Sequence, residues 1–437
     1  MIKLKNRILS FFTAAVIAFA GLGIVPSFSA AASAAGVDDK PIIVSLGDSY
    51  SAGEGIEPFY GQDKPTAEKV KDQDWLAHRS EKAWSGMLKL DGVKGTMKDN
   101  RGTNWFFAAA SGAETKHISG SFKKSYNYDG KKGSVKLDPQ IKIFDSIPAG
   151  TVDYVTLTLG GNDIGFVEMM VAAVMKPGSL EKTITSGLEK FDSSIKAKLK
   201  KAYKAIAKAA GSQATIIVVG YPHLLNEEGF KVENIPLLGT VTVTAETAKA
   251  VNDSVDKLNE KTADLVDECR AEGMNICFVP VVKAFSGHEA YTKDAYINSA
   301  YTKAQPEDIN TGSLISAYSM HPNTKGAKAY ASVVQKKINS LEKNKSTKQE
   351  SKSGITVKAT SKDGKVTLKW DAVDGAEKYR VYEYVDGKAT LVKTVKKTSA
   401  SISGLEAGTK HKYTVTAYVN KKWTAIDKSV AVTVKVK

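Results

Sequence analysis

Five short apolar runs, separated by longer stretches with helical periodicity, constrain the fold of this 437-residue chain more than any other feature. Each run is rich in β-branched or aromatic residues, which is typical of buried strands. The runs cover residues 42–46, 105–109, 154–159, 215–219 and 275–279. Helical spacing of apolar residues is found in the regions 180–199, 251–269 and 330–341. Because strands that alternate with helices form a parallel sheet covered on both faces, the sequence predicts a three-layer α/β/α domain with a five-stranded parallel sheet.

The C-terminal fifth of the chain has a different pattern. Residues 342–353 are polar and charged, which is typical of a linker. Over residues 354–437 hydrophobic and polar residues alternate, as in half-buried strands, with Trp370, Tyr379 and Tyr413 inside these strands. The region is similar to a fibronectin type III domain, and this resemblance implies an all-β sandwich that serves as a spacer or binding module.

The N-terminus has the composition of a secretory signal. Basic residues precede an apolar stretch that glycine and proline interrupt and that ends in small residues, with Ala32-Ser33-Ala34 as a cleavage motif. We therefore expect a signal peptide over residues 1–34, an α/β domain over residues 35–341, and a secreted protein that is extracellular or associated with the cell wall. The alternative is an uncleaved membrane anchor, which the interruptions disfavour.

The basic balance of the chain points to anionic partners. The formal net charge is +15, and it remains +12 without the three basic residues of the expected signal peptide. Such a charge favours contact with an anionic cell-wall polymer, a glycan or a membrane surface. The sequence has no zinc-finger spacing, ribonucleoprotein aromatic motif or arginine stripe, so we do not expect a nucleic-acid partner.

Three polar segments predict acyl transfer through a serine. Ser49, in Gly47-Asp48-Ser49-Tyr50-Ser51, directly follows the first predicted strand, where α/β sheets place their ligands. Asn162, in Gly160-Gly161-Asn162-Asp163, offers an amide donor, and His321, just before the last predicted helix, offers a base. A serine hydroxyl needs a base to become nucleophilic, and an amide can stabilise the oxyanion that its attack creates.

The same segments carry a family resemblance. Gly47-Asp48-Ser49, Gly112, Gly160-Gly161-Asn162-Asp163 and His321-Pro322 match, in order, the four sequence blocks of the SGNH (GDSL) hydrolase superfamily, and the chain resembles its branch of secreted actinobacterial lipases and esterases. The resemblance implies a flavodoxin-like strand order. It also implies that Ser49 is the nucleophile and His321 the base, and that the backbone N–H groups of Ser49 and Gly112 form the oxyanion hole together with the Asn162 amide. The Gly-x-Ser-x-Gly elbow of α/β-hydrolases is absent around Ser49.

One departure from the family pattern concerns the group that orients His321. The family usually has an aspartate three residues before the histidine, where this chain has Tyr318. We expect the backbone carbonyl of Tyr318 to accept the Nδ1 proton, with the Asp308 carboxylate as the reserve partner. The third interpretation is a weakened or inactive enzyme. His223, after the fourth predicted strand, is the reserve candidate for the base.

The remaining polar residues near these motifs have structural interpretations. We expect Asp48 and Asp163 to act as caps or loop partners. His78 and Arg79 either line the cleft or, as we expect, belong to a packed loop. No cluster of ligand-type residues surrounds the candidate site, so the sequence predicts neither a metal nor a cofactor.

The two cysteines, Cys269 and Cys277, are candidates for a disulfide. They lie eight residues apart, at a helix end and in the next strand, and a secreted chain meets an oxidising environment. The alternative is a pair of buried thiols, and the geometry decides between the two.

These features together predict a secreted carboxylic ester hydrolase, a lipase or esterase that acts on lipid or short-chain esters. Apolar residues in the segments 166–174 and 235–238 suit an acyl chain, although they equally suit loop packing. The first alternative is an O-acetyl esterase of cell-wall or extracellular glycans. The second is a binding or adhesion protein with an inactive hydrolase domain, in which His321 would lack any orienting acceptor.

Overall fold

The computed structural model describes residues 40–437, apart from positions 176, 236–237, 312–314, 353, 420–421, 425 and 429. The expected signal peptide lies outside the described residues. In the part of the chain that is described, no helix is both long and apolar enough to cross a membrane.

A parallel sheet forms the centre of the N-terminal domain. The strands of this domain are β1 (Ile42–Ser45), β2 (Trp105–Phe107), β3 (Phe122–Tyr128), β4 (Lys131–Leu137), β5 (Val152–Leu157), β6 (Thr215–Val219), β7 (Phe230–Ile235), β8 (Gly239–Val243) and β9 (Ile276–Val279). Five of them pair in parallel in the order β2-β1-β5-β6-β9. These five are the predicted runs in the flavodoxin-like order, so the predicted sheet is confirmed. The hairpins β3–β4 and β7–β8 lie outside this sheet.

Helices cover the sheet on both faces. They are α1 (Ser49–Ala52), α2 (Thr66–Lys69), α3 (Gln73–Leu76), α4 (Gly161–Ile164), α5 (Phe166–Met175), α6 (Leu180–Lys190), α7 (Lys196–Ala210), α8 (Ala245–Ala271), α9 (Val282–Phe285) and α10 (Thr324–Lys352). α7 packs against α8, while α10 packs against α9 and the turn Trp84–Met87. The central strands are buried throughout, which explains why their sequences are continuously apolar.

The last helix of this domain is longer than its apolar periodicity. α10 continues to Lys352, through most of the segment 342–353 that the sequence predicts as a linker. Lysine, glutamate and glutamine are good helix formers, so the loss of an apolar stripe does not end the helix. The boundaries of the domains stay predictions.

The C-terminal region is an all-β sandwich, as expected. Its strands are β10 (Val357–Lys362), β11 (Lys365–Trp370), β12 (Ala376–Val385), β13 (Lys388–Val395), β14 (Ser399–Ser403), β15 (Lys410–Val419), β16 (Lys422–Trp423) and β17 (Val432–Lys435). One antiparallel sheet has the order β10-β11-β14, and the other has the order β13-β12-β15-β16, with β17 also paired to β15. Trp370, Tyr379 and Tyr413 are buried in the core between them, so the fibronectin type III-like architecture is confirmed.

The expected disulfide is wrong, because Cys269 and Cys277 are free buried thiols. Cys269 lies on α8 near Lys200 of α7, whereas Cys277 lies on β9 near Lys337 of α10. Burial raises the pKa of both thiols above the ordinary value, so they remain protonated at neutral pH.

Candidate active site

Ser49 is presented by a tight turn between β1 and α1. It is the first residue of α1, and the Asp48 carboxylate caps this helix by accepting a hydrogen bond from the backbone N–H of Tyr50 at 3.1 Å. Gly47 has a φ of +116°, and a Cβ atom there would lie 2.3 Å from the carbonyl oxygen of Thr158. Only glycine allows this approach, which brings the serine to the carboxyl end of β5.

The Asp48 carboxylate links the turn that carries Ser49 to the neighbouring segments. It accepts hydrogen bonds from the hydroxyl of Thr158 at 2.6 Å and from the hydroxyl of Tyr221. The Tyr221 oxygen in turn accepts from the backbone N–H of Gly161 at 3.0 Å. Burial raises the pKa of Asp48 to about 6, although these hydrogen bonds oppose the rise. Asp48 therefore has the structural role that the sequence predicts.

Ser49 and His321 form a hydrogen-bonded pair. The Nε2 atom of His321 lies 2.7 Å from the Ser49 Oγ atom, and its Nδ1 atom lies 3.0 Å from the carbonyl oxygen of Ser319. A carbonyl oxygen can only accept, so Nδ1 carries the proton and Nε2 is left to accept the proton of the serine. This arrangement is the one that a serine nucleophile and its base require.

The orienting acceptor differs from the sequence prediction. The carbonyl of Tyr318 accepts from the Asn298 amide at 3.2 Å and does not bind Nδ1 of His321. The Asp308 carboxylate accepts from the backbone N–H groups of Gln305 and Ala317 within its own loop. Both proposed partners are thus wrong, and the correct carbonyl is one residue closer to the histidine, at Ser319.

A left-handed residue explains why the carbonyl of Ser319 faces the imidazole. Met320 has a φ of +60°, which turns the chain between Ser319 and His321. A non-glycine residue in this region is strained and persists only where its surroundings hold it. The Tyr50 hydroxyl donates to the Met320 carbonyl at 2.6 Å, and the Met320 N–H donates to the Asn298 carbonyl at 3.1 Å.

The imidazole is kept neutral by its surroundings. Burial lowers the pKa of His321 below the ordinary value, and the charge of Glu54 and the carbonyls of Ser319 and Ala317 oppose this shift. A neutral imidazole is the form that accepts a proton, so the base is ready at neutral pH.

Gly112 and Asn162 lie in two segments that are tied to each other. The Asn162 side-chain amide donates one hydrogen bond to the Ala113 carbonyl at 2.8 Å, which leaves its second N–H for a ligand. Asp163 accepts from both the backbone N–H and the hydroxyl of Thr115, at 2.9 and 2.7 Å. Asp163 is therefore a loop partner, as expected. Among the described residues we find no acceptor for the backbone N–H groups of Gly112 or Ser49.

The sequence prediction missed a buried contact between the side chains of Glu54 and His78. Nδ1 of His78 lies 2.8 Å from both carboxylate oxygens, and both side chains are 1% exposed. Burial would raise the pKa of Glu54, but the interactions with His78, including their hydrogen bond, and with His321 lower it to about 2. Glu54 is therefore ionised, and its charge acts on His321.

Other candidates from the sequence make their hydrogen bonds and ring contacts with residues other than Ser49 and His321. Nε2 of His223 is 2.9 Å from the Asp256 carboxylate at the surface, so the reserve base is not used. His78 stacks on Phe59 at a ring distance of 4.4 Å, and Arg79 donates to the carbonyls of the loop after β2, so both belong to packed structure. Within the described ranges, no three His, Cys, Asp or Glu side chains cluster as a metal site would require.

The apolar residues expected at the rim of the cleft mostly support packing. Met169 and Val174 are buried in the core, and Phe166 packs partly against it. Val167 and Leu238 are exposed. Pro236 and Leu237, from the second predicted segment, lie outside the described residues.

Comparison with known proteins identifies a matching family and several similar proteins. The sequence profile of the GDSL-like Lipase/Acylhydrolase family matches residues 45–329. The chain is 26% identical to Lipase 1 of Streptomyces coelicolor over 298 residues, which cover 68% of this chain and 88% of that protein. It is also similar to the solved extracellular lipase from Streptomyces rimosus, with 22% identity and a TM-score of 0.46 over 68% of this chain and 99% of that one.

The C-terminal domain has separate relatives among the solved structures. One is an Fn3-like protein from Clostridium thermocellum, with 24% identity and a TM-score of 0.18. The match covers 19% of this chain and 91% of that one.

Proposed function

The chain belongs to the GDSL-like Lipase/Acylhydrolase family, and from this premise we propose that it is a secreted carboxylic ester hydrolase that works through an acyl-serine intermediate. The observation that carries the mechanism is the hydrogen bond of 2.7 Å between Ser49 Oγ and His321 Nε2, with Nδ1 held by the Ser319 carbonyl. Secretion is supported by the signal-like composition of the first residues.

The first half of the reaction transfers the acyl group to the enzyme. Ser49 Oγ attacks the ester carbonyl carbon while its proton moves to Nε2 of His321. The carbonyl oxygen becomes an oxyanion, which the N–H groups of Ser49 and Gly112 and the free N–H of Asn162 would stabilise. When the tetrahedral intermediate collapses, the C–O bond to the alcohol breaks and His321 returns the proton to the leaving alkoxide.

The second half regenerates the serine. A water molecule gives a proton to His321 as its oxygen attacks the acyl carbon, and the same donors stabilise the second oxyanion. The bond to Ser49 Oγ then breaks, His321 protonates that oxygen, and the carboxylic acid leaves. Throughout, the carbonyl of Ser319 accepts from Nδ1 and keeps the imidazole in one orientation.

The presence of this acceptor supports an active enzyme over an inactive binding protein. An inactive hydrolase domain is expected to have His321 without an orienting partner, and Ser319 supplies one at 3.0 Å. Because this acceptor is a backbone carbonyl, it does not require an aspartate side chain at position 318.

The test compares the purified protein with Ser49→Ala on p-nitrophenyl acetate, butyrate and decanoate. We expect turnover by the wild type and a loss of kcat of about 10⁴-fold or more in the variant, because triad knockouts in serine hydrolases have effects of this size. Ser51→Ala, a change of the same kind at the other end of α1, is the matched control for altered packing near the turn. Hydrolysis that survives in Ser49→Ala, or none by the wild type on any ester, overturns the proposal.

The substrate class is tested with the same pair of proteins. Acetylated xylan, a triacylglycerol and a phospholipid separate glycan deacetylation from lipid hydrolysis. We propose lipid or short-chain esters as the substrate, so Ser49-dependent release of acetate from xylan alone would favour the O-acetyl esterase alternative.

We further propose that the C-terminal sandwich attaches the enzyme to an anionic polymer at the cell surface. Residues 354–437 contain 17 Lys and Arg against 8 Asp and Glu, a net charge of +9 within 84 residues. Most of the basic excess of the chain therefore lies in this small domain. Arg380 and Lys378 stack over the rings of Trp423 and Tyr418, at 4.2 and 4.4 Å, so cations and aromatic rings share one face of its larger sheet.

A further inference from the structure

Lys124 is a cation beside the candidate oxyanion site that the proposed mechanism does not use. It lies on β3, and its ammonium donates a hydrogen bond to the carbonyl of Ser111, the residue before Gly112. A Cβ atom on Gly112 would lie 3.6 Å from Lys124 Nζ and 3.5 Å from the ring of Phe122. The lysine and the glycine therefore border the same small space.

The strand that carries Lys124 is fixed on the domain. Phe122 stacks on His117 at a ring distance of 4.1 Å. Further along β3, the N–H of Asn127 donates to the Ile309 carbonyl at 2.7 Å, and Thr311 donates back to Asn127 at 3.0 Å. Contacts near both ends of β3 therefore hold the strand in place, and the Ser111 carbonyl holds the ammonium of Lys124.

The ammonium of Lys124 has no carboxylate partner in the described part of the chain: no Asp or Glu oxygen lies within 4.0 Å of it. An ammonium carries three donors, and the Ser111 carbonyl takes one. Burial lowers the pKa of Lys124 to about 8, while the more distant charge of Glu54 opposes the shift. The side chain of Lys124 is partly buried, and removing a cation from water without a nearby counter-charge is unfavourable, so the site favours an anion.

Lys69 shows what a buried lysine with a structural role looks like in this protein. Its ammonium lies 3.2 Å from the Glu307 carboxylate and over the rings of Trp75 and Tyr128, at 5.7 and 5.4 Å. The charge of Lys69 is compensated inside the fold by Glu307, whereas Lys124 has no such carboxylate among the described residues.

We propose that Lys124 binds an anionic group of the substrate, a phosphate or a carboxylate, and so selects esters that carry a negative charge near the scissile bond. This selectivity rests on the proposed ester hydrolase function, since the ester carbonyl must lie between Ser49 and the donors of Gly112 and Asn162. With two donors free, the ammonium can form charge-assisted hydrogen bonds to either kind of oxyanion.

The kinetic test uses pairs of esters that differ by one anionic group. One pair is 1-hexanoylglycerol and 1-hexanoylglycerol 3-phosphate, and the other is the p-nitrophenyl esters of pentanoic acid and of glutaric acid, all below their micellar concentrations. In Lys124→Met we expect the ratio of kcat/KM for the charged over the neutral ester to fall by about tenfold or more in at least one pair, since hydrogen bonds to charged groups have this strength. Which pair responds distinguishes phosphate from carboxylate.

Two further variants control for charge and packing. Lys123→Met removes an exposed lysine from the same strand and should leave the ratio unchanged. Lys124→Arg keeps the charge and should restore most of the ratio. Equal losses on charged and neutral esters in Lys124→Met would mean a general role in oxyanion stabilisation or folding, and an unchanged ratio in both pairs would mean no role in binding; either result overturns the proposal.

A binding measurement separates this inference from the proposed function. Ser49→Ala and Ser49→Ala/Lys124→Met are titrated with 1-hexanoylglycerol 3-phosphate and with 1-hexanoylglycerol glutarate in a calorimeter. We expect Kd for at least one of these anionic ligands to rise about tenfold in the double variant, even if the wild type hydrolyses no ester. Equal affinities of both proteins for both ligands overturn the role of Lys124, whatever the activity of the wild type.

Discussion

The Nδ1–H group of His321 donates to a neutral oxygen, the carbonyl of Ser319. A neutral acceptor fixes the tautomer, but it stabilises an imidazolium less than a carboxylate does. Glu54 provides the missing negative charge from further away. It is ionised, paired with His78 out of contact with water, and its charge raises the pKa of His321 against the effect of burial.

This electrostatic coupling predicts the pH dependence of the enzyme. His321 must be neutral to take the proton of Ser49, so kcat/KM rises with pH through the pKa of His321, which burial sets below the ordinary value of 6.5. In Glu54→Gln the stabilising charge is gone and the pKa of His321 falls further. We therefore expect the acidic limb to move to lower pH and the plateau of kcat/KM to fall, measured with p-nitrophenyl butyrate between about pH 4 and 8.

The matched control for this shift is Glu57→Gln. Glu57 is a neighbouring carboxylate that accepts from the Tyr318 hydroxyl at 2.9 Å and is not among the main influences on the pKa of His321. Its acidic limb should stay at the wild-type position. If folded Glu54→Gln protein has its acidic limb of kcat/KM at the same pH as the wild type, the coupling between Glu54 and His321 is contradicted.

Single residues of the site differ in how readily the sequence reveals them. Ser49 and His321 stand in motifs whose residue types are required by the chemistry. The acceptor at Ser319 depends on a backbone oxygen that every residue has, so no residue type identifies it. Glu54 and His78 are 24 positions apart, and only the packing of their loops shows that they form a pair.

The turn between β1 and α1 is the element on which the site depends. Gly47 is needed there for two reasons, its positive φ and the close approach of the Thr158 carbonyl. The same turn is fixed by the Gln140 side chain, which accepts from the Gly47 N–H at 2.7 Å and donates to its carbonyl at 2.8 Å. The serine therefore sits on a rigid support.

Substitution of this glycine should lower both the stability of the fold and the esterase activity. Gly47→Ala places a methyl group 2.3 Å from a carbonyl oxygen, and we expect a loss of unfolding free energy of about 3 kcal/mol or more. Gly102→Ala is the control, since Gly102 also has a positive φ, +82°, but open space around the Cβ position, and left-handed strain alone costs about 1 kcal/mol. Urea unfolding and esterase assays measure both, and equal losses in the two variants would show that the close approach does not matter.

The hairpin β3–β4 shows which elements the sequence reasoning overlooked. A signal was present, because Asp129-Gly130 separates two seven-residue strands and Asp-Gly is typical of a two-residue hairpin turn. Both residues have positive φ, as that turn requires. The strands are rich in lysine and lack a continuous apolar run, so a search for buried strands does not detect them.

Over the whole molecule, charge is distributed unevenly. The C-terminal sandwich holds a net charge of +9, and the rest of the chain, which is more than four times as long, holds +6. Attraction to a polyanion falls as salt screens it, so the proposed attachment is expected to be reversible by salt.

Charge reversal in the two parts of the chain tests this attachment. Lys388, Lys396 and Lys397 are exposed in the sandwich, whereas Lys94, Lys131 and Lys132 are exposed in the N-terminal domain. We expect the first triple change to Glu to lower the salt concentration needed to elute the full chain from dextran sulfate, and the second triple change to have a smaller effect. Equal effects would mean that net charge alone governs binding and that the sandwich has no special part in it.

The amino-acid sequence alone was enough to predict the sheet, the two domain types, and Ser49 with His321 as the candidate nucleophile and base. Each of these depends on local patterns: runs of apolar residues, their period, and residue types that the chemistry requires. Three properties could be read only from the three-dimensional contacts: the acceptor that orients His321, the free thiols of Cys269 and Cys277, and the opposite charges that Glu54 and Lys124 bring to the site. These properties depend on which atoms meet across the fold, and on whether water or protein surrounds them. A backbone carbonyl, a buried carboxylate and an unpaired ammonium acquire their roles only from such contacts.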